Sequence, residues 1–486
     1  MHIIYIYYMN IGIYIFRRDL RLNDNLGLIE LINKVDIIIP IFILDVFQVK
    51  KNKKNKYYYS NNVIQFMCES IVDLNNSLKV FNSYLRIYYG KPEKIINKLI
   101  KWIINKYTIN INLFIGYNKE YSIYSLKRDN KINTICKINN VKLIITNKDY
   151  TLILLSNMLK SDNSAFKQFG AFYKNAIKYD VSIPSNNIFK YYLDSNIITK
   201  SEYNIKFIHS LYDNNNNLAQ NGGRTLGLIN LNKLNCFTEY NDMRNRLDYN
   251  TTNLSAYLNF GCISIRETFY KIKNILGDNS SLLKQLYWRD YYLQAYIYLK
   301  NGNKFTHIDD RYNQIKWKNN KYDWLKLINS QTGFLLVDAA INELKITGYM
   351  HNRARLIVGV FWTKYLLIDI FHNKYGSQVG FSKYLVDAIG PTQNKLNHQW
   401  ITELDFSGKK YSPKDSPIAG RPMDISNKNI KKYDPNCIYI KKWLPLLENI
   451  PNKHLINWDK YHSDLHPKPM FEYKQKYLEW INLCKK

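Results

Sequence analysis

Four short segments of this 486-residue chain gather residue types that bind anions, hold charge or stack on flat rings. The first runs Phe16-Arg17-Arg18-Asp19-Leu20-Arg21-Leu22 and continues to Asp24-Asn25, directly after an alternating apolar run. It crowds three arginines and two aspartates into one turn, which can pair them internally or offer them to a partner. The second contains Tyr240, Arg244 and Asn245, then Thr251-Thr252-Asn253-Leu254-Ser255 ahead of an apolar helical run. Hydroxyls and an amide in that place read as a helix N-terminus, where free N–H groups and the helix dipole favour an anion such as phosphate. An ordinary N-cap would use the same residues. The third is Gln285-Leu286-Tyr287-Trp288-Arg289-Asp290-Tyr291-Tyr292. The fourth comprises Thr332-Gly333, Val337-Asp338-Ala339-Ala340, and Thr347-Gly348-Tyr349-Met350-His351-Asn352-Arg353 with Arg355. Any one of these aromatic or charged residues reads equally well as core or ion pair. The ordered set does not.

The elements that must position them divide by pattern. Ile11–Phe16, Asp36–Leu44, Leu85–Tyr89, Asn112–Ile115 and Lys142–Thr146 read as strands separated by helix-compatible stretches. That alternation predicts βαβ units and a parallel sheet. Gly90-Lys91-Pro92-Glu93 reads as a turn that opens a helix. Residues 147–220 show weak periodicity and read as a long connector. From 221 the strand-like runs give way to helical ones, among them Ser281–Leu299, Thr332–Leu344 and Asn352–Ile370. The expected organisation is an α/β domain over 9–146 with a Rossmann-like parallel sheet, a connector over 147–220, and a mostly α-helical domain over 221–484.

Composition narrows the class. With 46% apolar and 15% aromatic residues the chain can bury substantial cores. The net charge of +30 fits a polyanionic partner, nucleic acid first and an acidic membrane surface second. An AT-biased genome would enrich Lys, Asn, Ile and Tyr in the same way without selection for binding. The six cysteines are scattered with no C-x-x-C pair, which argues against a zinc site, an iron–sulfur cluster and a secreted disulfide framework. The apolar start is too short and too β-branched for a membrane span. A soluble intracellular protein is expected.

In this order, over residues 11–45 and 221–447, the segments resemble the photolyase/cryptochrome family. "FRRDLRLNDN" is similar to the family's opening signature, "YMHNRARLIV" to its most diagnostic motif, with Tyr349 where Trp is usual, and "DPNCIYIKKWLPLL" to its closing segment. The resemblance implies an N-terminal α/β domain and a helical domain that holds FAD in a U shape, active in its reduced anionic form. It implies light-driven repair of UV-damaged DNA, with electron transfer from the flavin splitting a cyclobutane pyrimidine dimer, by a monomer that does not enter membranes. By position, Tyr240, Arg244, Thr251, Thr252, Asn253, Leu254 and Ser255 should hold the diphosphate and ribityl portion. Arg289 should approach the diphosphate or flavin, and Asn352, Arg355 and Asp387 should line the isoalloxazine, with Arg355 and Asp387 paired. Asn394 aligns near the flavin N5. Trp288 and Trp400 match the aromatics expected against a flipped lesion, with Gln285 and Asn352 beside them.

The departures matter too. Gln285 stands where many cyclobutane-dimer enzymes carry Glu, which favours the (6-4) and animal cryptochrome branches. Asn352 after His351 favours the cyclobutane branch. The relay tryptophans fall at Arg311, Ile370 and His398, so slow photoreduction by that route is expected. Ser125 replaces the Glu of folate-binding members, so an antenna pigment is not assigned. The alternatives are a cryptochrome-like blue-light sensor or a (6-4) photolyase. The chain ends soon after Leu447, which leaves no long signalling tail for the sensor.

Overall fold

The computed structural model describes residues 9–50, 59–107, 111–187, 203–299, 307, 312, 315–376, 380–388, 424–461 and 463–485. Five strands, β1 (Met9–Phe16), β2 (Ile37–Asp45), β3 (Arg86–Gly90), β4 (Ile111–Asn118) and β5 (Lys142–Thr146), form one sheet. Their order is β3-β2-β1-β4-β5 and every pairing is parallel. The alternation in β1 explains why both faces are covered. Ile11, Ile13 and Ile15 enter a core under the helices Pro92–Lys106 and Ile123–Ile138, while Tyr14 and Phe16 face the other way. All five expected strands are present, with no end displaced by more than three residues.

The second face of the sheet does not close on its own helices alone. Tyr14, Phe16 and Phe42 share one continuous core with Phe166 and Phe172 from the 147–220 stretch and with Leu254, Tyr257, Phe260 and Leu286. A separate core gathers residues from Leu247 through the helices Leu335–Thr347 and Asn352–Val360 to Trp458.

Two expected helices are reshaped by side-chain hydrogen bonds. The run expected over Thr332–Leu344 becomes the helix Leu335–Thr347. Thr332 and Gly333 are instead drawn into a loop, donating three bonds of 2.8–3.0 Å to the buried Asp338 carboxylate, which also pairs with His466 at 2.8 Å. The run expected over Asn352–Ile370 stops at Val360 and passes into a π-helical turn, Phe361–Tyr365. There the Thr363 hydroxyl bonds back to Gly359 O, and Leu367 takes a positive φ of 52°.

The arginine-rich opening signature joins the two halves. Arg21 pairs with Asp149 at 2.7 Å and donates to Gly261 O at 3.1 Å. Arg266, 2% exposed, pairs with Asp24 at 3.0 Å and Asp149 at 3.2 Å. Ser264 caps the helix Ile265–Leu276 in a capping box with Glu267 and also donates to Asp24. Gly261 ends the helix Ser255–Phe260 at φ 66°, and a Cβ there would meet Arg18 O at 2.2 Å. Only glycine allows that approach.

Candidate functional site

The helix Leu335–Thr347 ends at Gly348 in a left-handed conformation. Thr347 then fixes the turn, its hydroxyl donating to Glu343 O at 2.7 Å and accepting from Tyr349 N at 3.1 Å. Gly348 O accepts Val386 N at 2.9 Å, and this backbone bond docks residues 386–387 against the turn. Beyond the turn, His351 caps the helix Asn352–Val360, its Nδ1 accepting Arg353 N at 3.1 Å. Burial first, then Arg355 and Arg353, push the His351 imidazole down to about 4. The ring is therefore neutral at pH 7, and with Nδ1 accepting, its proton sits on Nε2.

Arg355 and Asp387 pair at 2.8 Å, each with a side chain 6% exposed. Arg355 Nε also donates to Met350 O at 2.6 Å, and Asp387 Oδ2 accepts the Ser255 hydroxyl at 2.8 Å. Thr251 and Tyr349 share a hydroxyl–hydroxyl bond of 2.9 Å. Asn253 adopts a positive φ of 53°, and Arg353 donates to Asn245. Beneath the turn, Glu343 accepts Tyr439 OH at 2.6 Å and His351 N at 3.2 Å, and burial pushes its carboxyl up to about 7. The structure thus brings Thr251, Ser255, Arg355 and Asp387 together. Sequence reasoning missed Tyr349 as a hydroxyl partner, and Glu343 and Tyr439 as supports. Tyr349 and Tyr439 stood inside segments already singled out, but no spacing rule pairs residues so far apart.

Other expected residues are placed differently. The hydroxyl-rich segment precedes a helix of only six residues, Ser255–Phe260, whose N-cap is Leu254 with no side-chain cap bond. The Thr251 and Ser255 hydroxyls do not cap it; they bond to Tyr349 and Asp387. Leu254 is buried, Tyr240, Thr252 and Asn253 are half-buried, and Arg244 and Asn352 are exposed. Gln285 donates within its own helix to Ser281 O at 3.4 Å.

The rest of the helix Ser281–Tyr298 grips the 147–220 stretch. Trp288 stacks on Phe169 with ring centroids 3.6 Å apart and planes 7° from parallel. Arg289 donates to Tyr150 O and lies 3.7 Å over the Tyr150 ring, so its described contacts are with Tyr150 rather than with the Thr251–Ser255 hydroxyls. Asp290 accepts Leu152 N at 2.9 Å and Ile153 N at 3.3 Å, and burial pushes its carboxyl up to about 7. Ser125 bonds to the Ser122 hydroxyl at 2.7 Å and to Glu120 at 3.3 Å. Ile370 is buried. Asn394, Trp400, Arg311 and His398 lie outside the described residues.

Buried polar atoms without a partner mark where a ligand would complete the bonding. Among the described residues, Asp387 Oδ1, His351 Nε2 and Arg353 Nε are three such atoms within this one cluster. Together with the Ser255 and Thr251 hydroxyls they form a donor and acceptor set that suits a polar, partly anionic cofactor such as FAD. A small concavity lies at the carboxyl ends of β1 and β4, lined by Arg17, Arg18, Lys119, Glu120 and Tyr150 among others. This is where the strand order reverses, the usual ligand crevice of an open α/β sheet.

Comparison with known proteins agrees with this layout. Residues 12–186 match the family model described as DNA photolyase, and residues 282–486 match the one described as the FAD binding domain of DNA photolyase. The chain is 27% identical over 492 aligned positions to the deoxyribodipyrimidine photo-lyase of Buchnera aphidicola subsp. Baizongia pistaciae, covering 96% of each chain. It is 26% identical to cryptochrome-2 of Gallus gallus over 90% of this chain and 75% of that protein. Among solved structures, an archaeal photolyase from Sulfolobus tokodaii with two FAD molecules superposes with a TM-score of 0.81 at 26% identity. That match covers 97% of this chain and 99% of the other.

Proposed function

The chain belongs to the DNA photolyase/cryptochrome family and carries that family's FAD-binding domain, and we propose that it is a light-driven repair enzyme for cyclobutane pyrimidine dimers in DNA. Its similarity to a protein named deoxyribodipyrimidine photo-lyase extends over nearly the full length of both chains, which supports a repair role. Similarity to cryptochrome-2 supports the sensor reading, which predicts light absorption without repair.

Reduced FAD, when bound, supplies the photo-excited electron that opens the dimer. The protein's part is positioning and electrostatics. The buried Arg355 guanidinium places fixed positive charge where an anionic ring system would be favoured, and Asp387 holds that guanidinium in orientation. Tyr240, Arg244, Thr251, Thr252, Asn253, Leu254 and Ser255 are assigned to the diphosphate and ribityl portion, and Asn352 and Asn394 to the ring. Trp288 and Trp400 are assigned to the flipped lesion, which costs less to unstack than an intact pair. The net charge of +30 suits the phosphate backbone.

The observation that carries the choice of lesion is Asn352, which directly follows His351: an amide can hydrogen-bond but cannot trade protons. His351 itself is buried, and burial together with Arg355 and Arg353 holds its imidazole below the ordinary range, which weighs against an acid role. The test is to illuminate chemically reduced protein with two oligonucleotides, one bearing a cyclobutane dimer and one a (6-4) product. Restoration of the first alone is expected. Restoration of the second alone would overturn the assignment.

A further inference from the structure

We infer that Phe169 is a positioning residue for Trp288, fixing the plane of the indole so that its remaining surface meets an unstacked pyrimidine base without reordering. The inference rests on the reading of Trp288 as the platform for the lesion. Phe169 opens the helix Phe169–Ala176 in the 147–220 stretch, more than a hundred residues from Trp288 in sequence. Its ring lies 3.6 Å from the Trp288 centroid and 7° from parallel, so it covers one indole face, and Tyr292 lies along the indole at 5.5 Å and 27°, so the surface left for a base is the part that neither ring covers. Trp288 nevertheless stays half-exposed.

Aromatic pairs left to themselves favour offset or edge-on contact over face-to-face overlay. The overlay is held by its surroundings. Tyr291 stands edge-on to both rings, at 5.7 Å and 76° to Phe169 and at 5.5 Å and 82° to Trp288. Tyr173 lies along Phe169 at 5.7 Å and 24°. The backbone entering the Phe169 helix is tied to the Trp288 helix as well. Tyr291 OH donates to Lys167 O at 2.6 Å, and the Gln294 amide both accepts Phe166 N at 3.1 Å and donates to Phe166 O at 2.8 Å. The two aromatic rings are therefore clamped from both sides before any ligand arrives. A stacking platform that is already ordered avoids the cost of immobilising a side chain on binding.

The test compares Phe169→Leu, which keeps apolar bulk but lacks a flat face, with Phe169→Tyr, which keeps the ring. Flavin-loaded full-length proteins are titrated with dimer-containing and undamaged duplexes, and the ratio of affinities is read. Phe169→Tyr should keep the parent's ratio. Phe169→Leu should lower it roughly fivefold or more while flavin content and binding to undamaged duplex stay unchanged. Unchanged preference in Phe169→Leu would reduce Phe169 to packing and overturn the inference. Tighter lesion binding in that variant would overturn it too, because Phe169 would then be competing with the base. Trp288→Ala run in parallel separates the two readings. If Trp288→Ala leaves the ratio intact, the platform reading falls and the inference with it. If Trp288→Ala lowers the ratio and Phe169→Leu does not, the inference alone falls.

Discussion

Asp387 bears on two neighbours at once, since its carboxylate pairs with the Arg355 guanidinium and accepts the Ser255 hydroxyl. Removing one member of a buried ion pair strands the other charge and typically costs about 3–5 kcal/mol. Asp387→Ala should therefore destabilise the protein by about that much and lower its flavin content, as read by denaturant unfolding and by flavin absorbance. Unaltered stability and flavin content would remove the pair from the site. Glu343 makes a separate prediction. Its carboxyl ionises near 7 in the fold against 4.5 ordinarily, so the unfolded chain loses that proton first. The stabilisation from protonated Glu343 is complete below about pH 4.5 and is lost as pH rises through about 7. Relative to the parent, Glu343→Gln should gain stability steadily over that window and stay level above it. His351 has the opposite slope but is common to both proteins and cancels in the comparison. Urea unfolding at a series of pH values checks this, and a pH-independent difference would contradict it. At this scale the sequence was readable where a motif names both partners, as for Arg355 and Asp387. The contact of Arg289 with Tyr150 was not legible, because successive helical residues point about 100° apart and nothing in the sequence says which face meets the 147–220 stretch.

Among the elements, β1 was legible because its two faces bury different residues in strict alternation, and a period of two survives any tertiary setting. The helix starting near Thr332 was not, since Asp338 draws Thr332 and Gly333 off the helical path through bonds no periodicity records. The opening signature could be read equally as an internally paired loop. The structure does both: Asp19 accepts Arg17 N and the Asn25 amide within the loop, while Asp24 and Arg21 reach across to Ser264, Arg266 and Gly261. That junction makes its own prediction. Arg266 neutralises both Asp24 and Asp149 at 2% exposure, so Arg266→Ala should cost about 3–5 kcal/mol. Denaturant unfolding measures the loss. A cost below about 1 kcal/mol, the range of exposed pairs, would mean that the buried junction does not hold the two halves together.

On the scale of the whole molecule, the sheet's second face and the helices after Leu254 share one core, so the α/β part is continuous with the part that presents the Arg355–Asp387 site. The helix Ser281–Tyr298 runs along that shared core, and its side chains reach back to Tyr150, Leu152, Phe166 and Phe169. Fold class was legible from the change of period along the chain; the shared core was not, because it joins residues hundreds of positions apart. Light-driven reversal of DNA damage by this assembly is tested by mixing chemically reduced, flavin-loaded protein with a dimer-containing oligonucleotide and dividing the sample between blue light and darkness. Loss of the dimer in the light with none in the dark is the predicted result. Intact dimer after illumination, from protein that holds reduced flavin and binds the oligonucleotide, would contradict it.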